Sequence, residues 1–127
     1  MPQEQKKLVF RQFIDVYFQL LNMIKDQVGN HTDFKIFYRK NIMMKKTNVK
    51  LFIKTWYESM TVPHYTSIMN ENKDFFMEHG TAFLPDPSFQ TYFEEFKIMS
   101  LKTEGSLLEK AFNKIRELTQ LSLFYYQ

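Results

Sequence analysis

Cysteine is absent from this chain of 127 residues, and glycine is scarce. The absence of cysteine excludes disulfide bonds, thiolate catalysis and cysteine-bound zinc, and it fits a reducing compartment. Only three glycines are present, and a β-sandwich or barrel needs more than three for its many tight turns. The scarcity of glycine therefore favours a few long helices.

Long uncharged hydrophobic runs are also missing. Lys6, Lys7 and Arg11 interrupt the first apolar segment, so no signal peptide is predicted. No uncharged run reaches the length of about 18 residues that a membrane-spanning helix requires. From these absences we expect a soluble intracellular protein, in the cytoplasm or nucleus, without a membrane span.

Acidic residues are unevenly distributed along the chain. Residues 1–54 carry a net charge of +7 and residues 55–127 a net charge of −4, within an overall charge of +3. No acidic residue occurs between Asp33 and Glu58. Seven cations, called the basic run below, lie in that interval: Lys35, Arg39, Lys40, Lys45, Lys46, Lys50 and Lys54.

The basic run has three interpretations. It can be a solvated face whose charge is balanced by the acidic second half of the chain, or it can hold an acidic protein or the phosphates of a nucleic acid. A protein that binds single-stranded nucleic acid would also need exposed aromatic rings on the same face. Tyr38 and Tyr57 are candidates, although helical spacing more readily places both in the core. Of the two functional interpretations, an acidic protein partner is preferred, with nucleic acid as the alternative.

Aromatic residues are abundant, with 14 Phe, 7 Tyr and one Trp making up 17% of the chain. Phe18, Tyr57 and the C-terminal residues Phe124, Tyr125 and Tyr126 are left over once the helical stripes are assigned. Surplus apolar surface commonly becomes an interface. The three C-terminal aromatic residues are therefore predicted to bind a partner, unless the C-terminal segment folds back into the core.

Hydrophobic periodicity predicts helices along most of the chain. Apolar residues recur at three- and four-residue spacing, as on the buried face of an amphipathic helix. The first predicted helix is apolar over more than one face, so it is either central or in contact with a partner. The predicted helices cover residues 3–28, 34–44, 49–60, 62–79, 87–104 and 107–124, and Asn70-Glu71-Asn72 marks the position of a kink or break in the fourth.

Several helix ends are predicted from glycine and from capping residues. Gly29, Gly80 and Gly105 fall where a helix should stop, because glycine tolerates the left-handed backbone of a helix C-terminus. Ser106 and Glu109 form a capping-box pattern at the start of the last helix.

Two further boundaries are predicted in the middle of the chain. Residues 45–48 form a polar break, with Thr47 or Asn48 as the cap of the following helix. Thr61 is predicted to cap a separate fourth helix, with Pro63 in its first turn, where the missing N–H costs nothing.

These patterns predict one all-α domain over residues 1–127, a bundle of five to six helices. The central stretch, residues 47–77, contains the only tryptophan. Trp56 shares a helical face with Phe52 and Met60. It is therefore predicted to be buried at the centre of the bundle.

The central stretch resembles small uncharacterised proteins of large nucleocytoplasmic DNA viruses. The resemblance is carried by residues 51–57, by Val62-Pro63-His64-Tyr65 with Ile68, and by Asp74-Phe75-Phe76. It covers about thirty residues around Trp56 and includes no catalytic signature. The resemblance implies at most a viral accessory or virion-associated role, in the virion or the host cell.

No motif for catalysis or metal binding is present. His31, His64 and His79 have no second ligand at the i+3 or i+4 spacing of a helical metal pair. No nucleophile elbow, phosphate-binding glycine loop or calcium loop occurs. The chain is therefore predicted to be a non-enzymatic interaction or structural subunit without a cofactor, a metal or a small-molecule substrate. Self-association or a protein partner is expected.

Overall fold

In a computed structural model, residues 2–28, 32–70, 87–103 and 105–127 are described. These residues contain no strand, which confirms the predicted all-α fold. The elements are α1 (Gln3–Val28), α2 (Thr32–Thr47), α3 (Lys50–Trp56), a π-helical turn (Tyr57–Thr61), α4 (Val62–Met69), α5 (Pro87–Thr103) and α6 (Gly105–Tyr125).

The two longest helices, α1 and α6, run antiparallel through the middle of the structure. The Gln12 amide donates to Glu117 over 3.2 Å, and the Lys114 ammonium donates to Gln19 over 2.9 Å. A residue later in α1 therefore contacts a residue earlier in α6, as expected for antiparallel helices. Because α1 also packs against α2, α3 and α5, more than one of its faces is covered.

The central position of α1 corrects one prediction. Phe18 was expected to be surplus to the core, but it is buried, as is Val16, which lies on a different face of the helix. The Phe18 ring packs against Phe52 with centroids 5.7 Å apart, and the Lys45 ammonium lies 4.8 Å from its centroid. The broad apolar surface of α1 is therefore largely used inside the molecule.

The polar break at residues 45–48 is shorter than predicted. α2 continues to Thr47, because lysine is a good helix former, and the Thr47 hydroxyl donates back to the Met43 carbonyl over 3.0 Å. Neither Thr47 nor Asn48 caps the next helix. Val49 stands at the N-cap of α3, without a side-chain hydrogen bond.

α4 begins at Val62 with Pro63 in its first turn, as predicted, but the predicted cap at Thr61 and the predicted break before it are wrong. Thr61 has helical dihedrals (φ −71°, ψ −52°) and makes no side-chain cap hydrogen bond. The chain passes from α3 into α4 through the wider π-helical turn. A proline inside a regular α-helix clashes with the carbonyl four residues earlier, and the wider turn before Pro63 accommodates the ring.

The remaining boundaries agree with the predictions in part. α5 begins at Pro87 as predicted, whereas Gly105 is the first residue of α6 rather than the end of α5. The predicted stops at Gly29 and Gly80 lie outside the described residues. So does the side chain of Ser106, and with it the predicted capping box.

Each helix contributes to one cluster of buried side chains. Trp56 is 1% exposed, which confirms its predicted burial, and its ring meets Phe13 edge-on with centroids 6.3 Å apart. Among the described helices, none is long and apolar enough to cross a membrane. The packing leaves the charged faces of α2 and α3 on the surface.

Candidate binding surface

The seven cations of the basic run all lie on the surface. α2 carries Lys35, Arg39, Lys40, Lys45 and Lys46, and α3 carries Lys50 and Lys54; each is exposed. Within the described part of the chain, none of the seven is paired with a carboxylate. Among these residues, the acidic second half therefore does not balance the basic run through direct ion pairs.

One end of the basic run forms part of a cavity of about 190 Å³ between α1 and α2, called the α1–α2 pocket. The Lys25 ammonium lies over the Tyr38 ring, 4.7 Å from its centroid. Such a cation–π contact holds the cation at the ring face. The pocket is lined by Lys25, Phe34, Lys35, Tyr38 and Arg39.

Tyr38 lies on the basic surface rather than inside the core, where helical spacing more readily placed it. Its side chain is half-buried, and its hydroxyl donates to the Asn22 side chain over 2.7 Å. The hydrogen bond fixes the ring at the edge of the pocket, beside Lys35 and Arg39. The basic run therefore includes an aromatic side chain at one end.

Lys50, the next-to-last cation of the basic run, lies at a second cavity, of about 180 Å³, where α1, α3 and α6 meet. It is called the α1–α3–α6 pocket. The Lys6 ammonium lies 4.7 Å from the centroid of the Tyr125 ring, and the Phe10 ring is 5.9 Å from that centroid. The pocket is lined by Gln3, Lys6, Lys7, Phe10, Lys50 and Tyr125.

The three C-terminal aromatic residues differ in their environment. Phe124 is 38% exposed and Tyr126 is 40% exposed, whereas Tyr125 is half-buried against the core. Tyr126 stacks on Tyr57 with centroids 4.4 Å apart and planes inclined by 28°. Tyr125 thus belongs partly to the core, while Phe124 and Tyr126 supply exposed aromatic surface.

Partial burial raises the pKa of Tyr126 above its ordinary value of 10.0. The nearby Tyr125, Glu58 and Tyr57 raise the pKa further, because each opposes a negative charge on the phenol. Tyr126 is therefore a neutral hydrogen-bonding and stacking group at physiological pH. It adds no negative charge beside the lysines of the neighbouring pocket.

A ladder of buried hydroxyl groups fixes the π-helical turn to α6. The Trp56 indole N–H donates to the Thr119 hydroxyl over 3.1 Å, and Thr119 in turn donates to the Ile115 carbonyl over 2.8 Å. The Ser122 hydroxyl donates to the Thr119 carbonyl and is hydrogen-bonded to Thr61. The ladder satisfies each buried hydroxyl, as a low-dielectric interior requires.

The ladder lies next to the stacked pair of Tyr57 and Tyr126: Tyr57 follows Trp56 in sequence, and the Tyr126 backbone N–H donates to the Ser122 carbonyl over 3.2 Å. Sequence reasoning did not find this arrangement. The available signal was the placement of two hydroxyl residues, Thr119 and Ser122, within the apolar stripe of the last helix.

The structure places three further cations beside the predicted ones. Lys6 and Lys7 join Lys50 at one pocket, and Lys25 joins Lys35 at the other. These residues were not predicted, since their proximity depends on how α1 packs rather than on spacing along the chain. The charge excess of residues 1–54 was the signal that pointed towards them.

The described residues contain no group of three His, Asp or Glu side chains that could hold a metal ion. No protein-family model matches the chain, and neither curated protein sequences nor solved structures give a match.

Proposed function

We propose that this chain is a non-enzymatic binding subunit that holds an acidic protein partner against α2 and α3. The observation that carries the proposal is the exposed basic run, whose seven cations are unpaired with carboxylates in the described part of the chain. Clustered like charges repel one another, so an acidic partner that lies across them relieves this repulsion.

Such a surface acts mainly on association rate and orientation. Complementary charges steer two proteins together and suppress wrong partners, and their effect weakens as salt screens them. Individual exposed ion pairs contribute only about 0–1 kcal/mol. Contacts with apolar side chains are therefore needed for a long-lived complex.

Phe124 and Tyr126 are suited to supply those apolar contacts. Both are partly exposed beside the α1–α3–α6 pocket residue Tyr125. Aromatic side chains contribute large contact areas and are frequent among the residues that dominate binding energy. The proposed binding surface therefore combines the basic run with the C-terminal aromatic residues.

The proposal is tested by affinity capture from the native source, with matched baits. One bait is wild type, one combines Lys35→Gln, Arg39→Gln, Lys46→Gln and Lys50→Gln, and the control bait carries Lys110→Gln on the exposed face of α6. We expect an acidic protein to be retained by the wild-type and control baits and lost from the quadruple variant. Retention of the same proteins by all three baits would argue against the proposal.

Nucleic acid is the second candidate, and the position of Tyr38 favours it. An aromatic ring beside Lys25, Lys35 and Arg39 combines an aromatic side chain with cations that neutralise phosphates, as in proteins that bind single strands, although the Lys25 ammonium already lies over the ring. Gel-shift titrations of a single-stranded oligonucleotide at two salt concentrations test this. A slope of about 0.7 in log affinity against log salt for each phosphate contact, with tight binding at physiological salt, would promote this candidate.

A viral accessory or virion-associated setting is part of the same proposal. It is supported by the resemblance around Trp56 described above. Detection of the chain in purified virions of its source by mass spectrometry would test that setting independently of the partner's chemistry.

A further inference from the structure

We infer that the α1–α3–α6 pocket receives an apolar side chain of an acidic partner segment, while Lys6, Lys7 and Lys50 hold the carboxylates that flank it. The inference rests on the proposed function, because it specifies how the acidic partner is held. It assigns a role to two lysines outside the basic run and to Tyr125.

The size of the pocket matches a single ring. Its volume of about 180 Å³ exceeds the roughly 150 Å³ of an engineered apolar cavity that binds benzene. A phenylalanine or leucine side chain therefore fits, and a larger folded element does not.

The lining of the pocket requires a ligand with both apolar and anionic parts. Phe10 and Tyr125 are half-buried and provide the apolar surface, while Lys6, Lys7 and Lys50 surround it. None of the described lining residues is acidic. A lone phosphate would leave the aromatic surface unused, and a neutral ring would leave three ammonium groups without counter-charges.

The contacts of Tyr125 favour a peptide over a nucleobase. The centroid of its ring lies 4.7 Å from the Lys6 ammonium, 5.9 Å from the Phe10 centroid and 5.0 Å from the centroid of Tyr126, whose ring is steeply inclined to it. Stacking of a base needs an open aromatic face, whereas an aliphatic or aromatic side chain can fill the space beside the ring. The cationic lining and the contacts already made by the Tyr125 ring thus both favour an acidic peptide as the partner.

The pocket is continuous with the basic run through Lys50. At the opposite end of the run, Lys35 and Arg39 line the α1–α2 pocket. Lys6 and Lys25, one at each pocket, lie about 28 Å apart along the axis of α1 at 1.5 Å per residue. An extended segment of about nine residues spans that distance, which sets the length of a suitable peptide.

A purely structural role for the three lysines makes a different prediction. α6 ends at Tyr125, and cations near a helix C-terminus stabilise the helix through its dipole. In that case, neutralising the lysines would lower the melting temperature but would not change how the protein distinguishes an apolar side chain in a bound peptide.

Two labelled peptides of about twelve residues test the inference by fluorescence anisotropy. Both are rich in glutamate, and they differ only at one central position, which is Phe in one and Ala in the other. Burial of the Phe ring is expected to make the first peptide bind the wild-type protein about tenfold more tightly. Because the two peptides carry equal charge, the ratio of their affinities measures what binding of the Phe side chain in the pocket contributes.

Variants test whether the α1–α3–α6 pocket causes the difference in affinity between the Phe and Ala peptides. Tyr125→Ala, measured at a temperature where circular dichroism shows it folded, should reduce the ratio to near one. The combination of Lys6→Gln, at a half-buried position, and Lys7→Gln, at an exposed one, should weaken the Phe peptide by several fold with the fold intact. The control, Lys35→Gln with Arg39→Gln at the other pocket, should weaken both peptides equally and leave the ratio unchanged.

The outcomes separate this inference from the proposed function. If both peptides bind equally tightly, or if Tyr125→Ala leaves the ratio unchanged, the pocket inference is overturned while the acidic-partner proposal stands. If the Lys6 and Lys7 variant changes only the melting temperature, the lysines are structural and the inference also fails. If neither peptide binds, both the inference and the proposed function are contradicted.

Discussion

At the scale of single residues, the burial of Trp56 was predictable and its hydrogen bond was not. Helical spacing in residues 49–60 already places Trp56 on the apolar face. Its donation to Thr119 joins residues 63 positions apart, and no local pattern specifies such a pair. Helical periodicity therefore predicted the burial of the largest fully buried side chain, but not the partner that orients it.

We expect Trp56→Ala to lower the free energy of unfolding by about 3–5 kcal/mol, because it opens a large cavity against Phe13 and removes a buried hydrogen bond. Urea denaturation followed by circular dichroism measures the change. Phe124→Ala is the control: its exposed ring should cost less than about 1 kcal/mol. A fully solvated, readily quenched Trp fluorescence in the wild-type protein would contradict the predicted burial.

His64 is expected to make the free energy of unfolding depend on pH. Burial lowers its pKa from the ordinary value of 6.5, so the unfolded chain binds the proton more readily than the folded one. Stability is therefore lost as pH falls below 6.5 through the lowered pKa. His64→Gln should lose less stability than wild type between about pH 7.5 and about pH 5. Identical pH profiles would show that His64 contributes nothing.

At the scale of elements, the π-helical turn between α3 and α4 is the largest departure from the predicted fold. Thr61 and Pro63 are typical of a helix start, and local sequence gives no reason to expect the helix to continue. Thr61 is nevertheless in the helix because its hydroxyl finds a partner in Ser122 of α6. Long-range packing thus outweighs a local capping preference.

We expect Thr61→Val to destabilise the protein by about 1–3 kcal/mol, since it leaves the buried Ser122 hydroxyl without one of its partners. Combined with Ser122→Ala, the loss should be smaller than the sum of the two single losses, because the two hydroxyl groups form one unit. Thermal and urea unfolding of the single and double variants measures the coupling. Thr66→Val, an exposed substitution in α4, is the matched control; fully additive losses would contradict the ladder.

Substitutions of the C-terminal aromatic residues should distinguish an effect on folding from an effect on association. Phe124→Ser with Tyr126→Ser removes exposed rings, so we expect weaker self-association or partner binding with a melting temperature close to wild type. Tyr125→Ser should lower the melting temperature more, because Tyr125 packs against the core. Sedimentation and thermal melts compare the two. A strict monomer whose melting temperature collapses in the double variant would make all three residues core.

At the scale of the whole molecule, charge and packing act together to make the candidate surface. The basic run was visible in the sequence because it is continuous along the chain. The neighbouring Lys6, Lys7 and Lys25 were not assigned to it, since only the packing of α1 against α2, α3 and α6 places them at the two pockets. Local patterns predict helices and charge, whereas tertiary contacts decide which charges meet.

The most direct test of the proposed function is a competition measurement at fixed salt. A labelled glutamate-rich peptide bound to the wild-type protein is challenged with unlabelled peptide and with single-stranded DNA of equal length. We expect the peptide to compete more strongly than the DNA, and the variant with Lys35→Gln, Arg39→Gln, Lys46→Gln and Lys50→Gln to bind neither well. Absence of peptide binding, or tighter DNA binding at physiological salt, would contradict an acidic protein as the partner of the basic run.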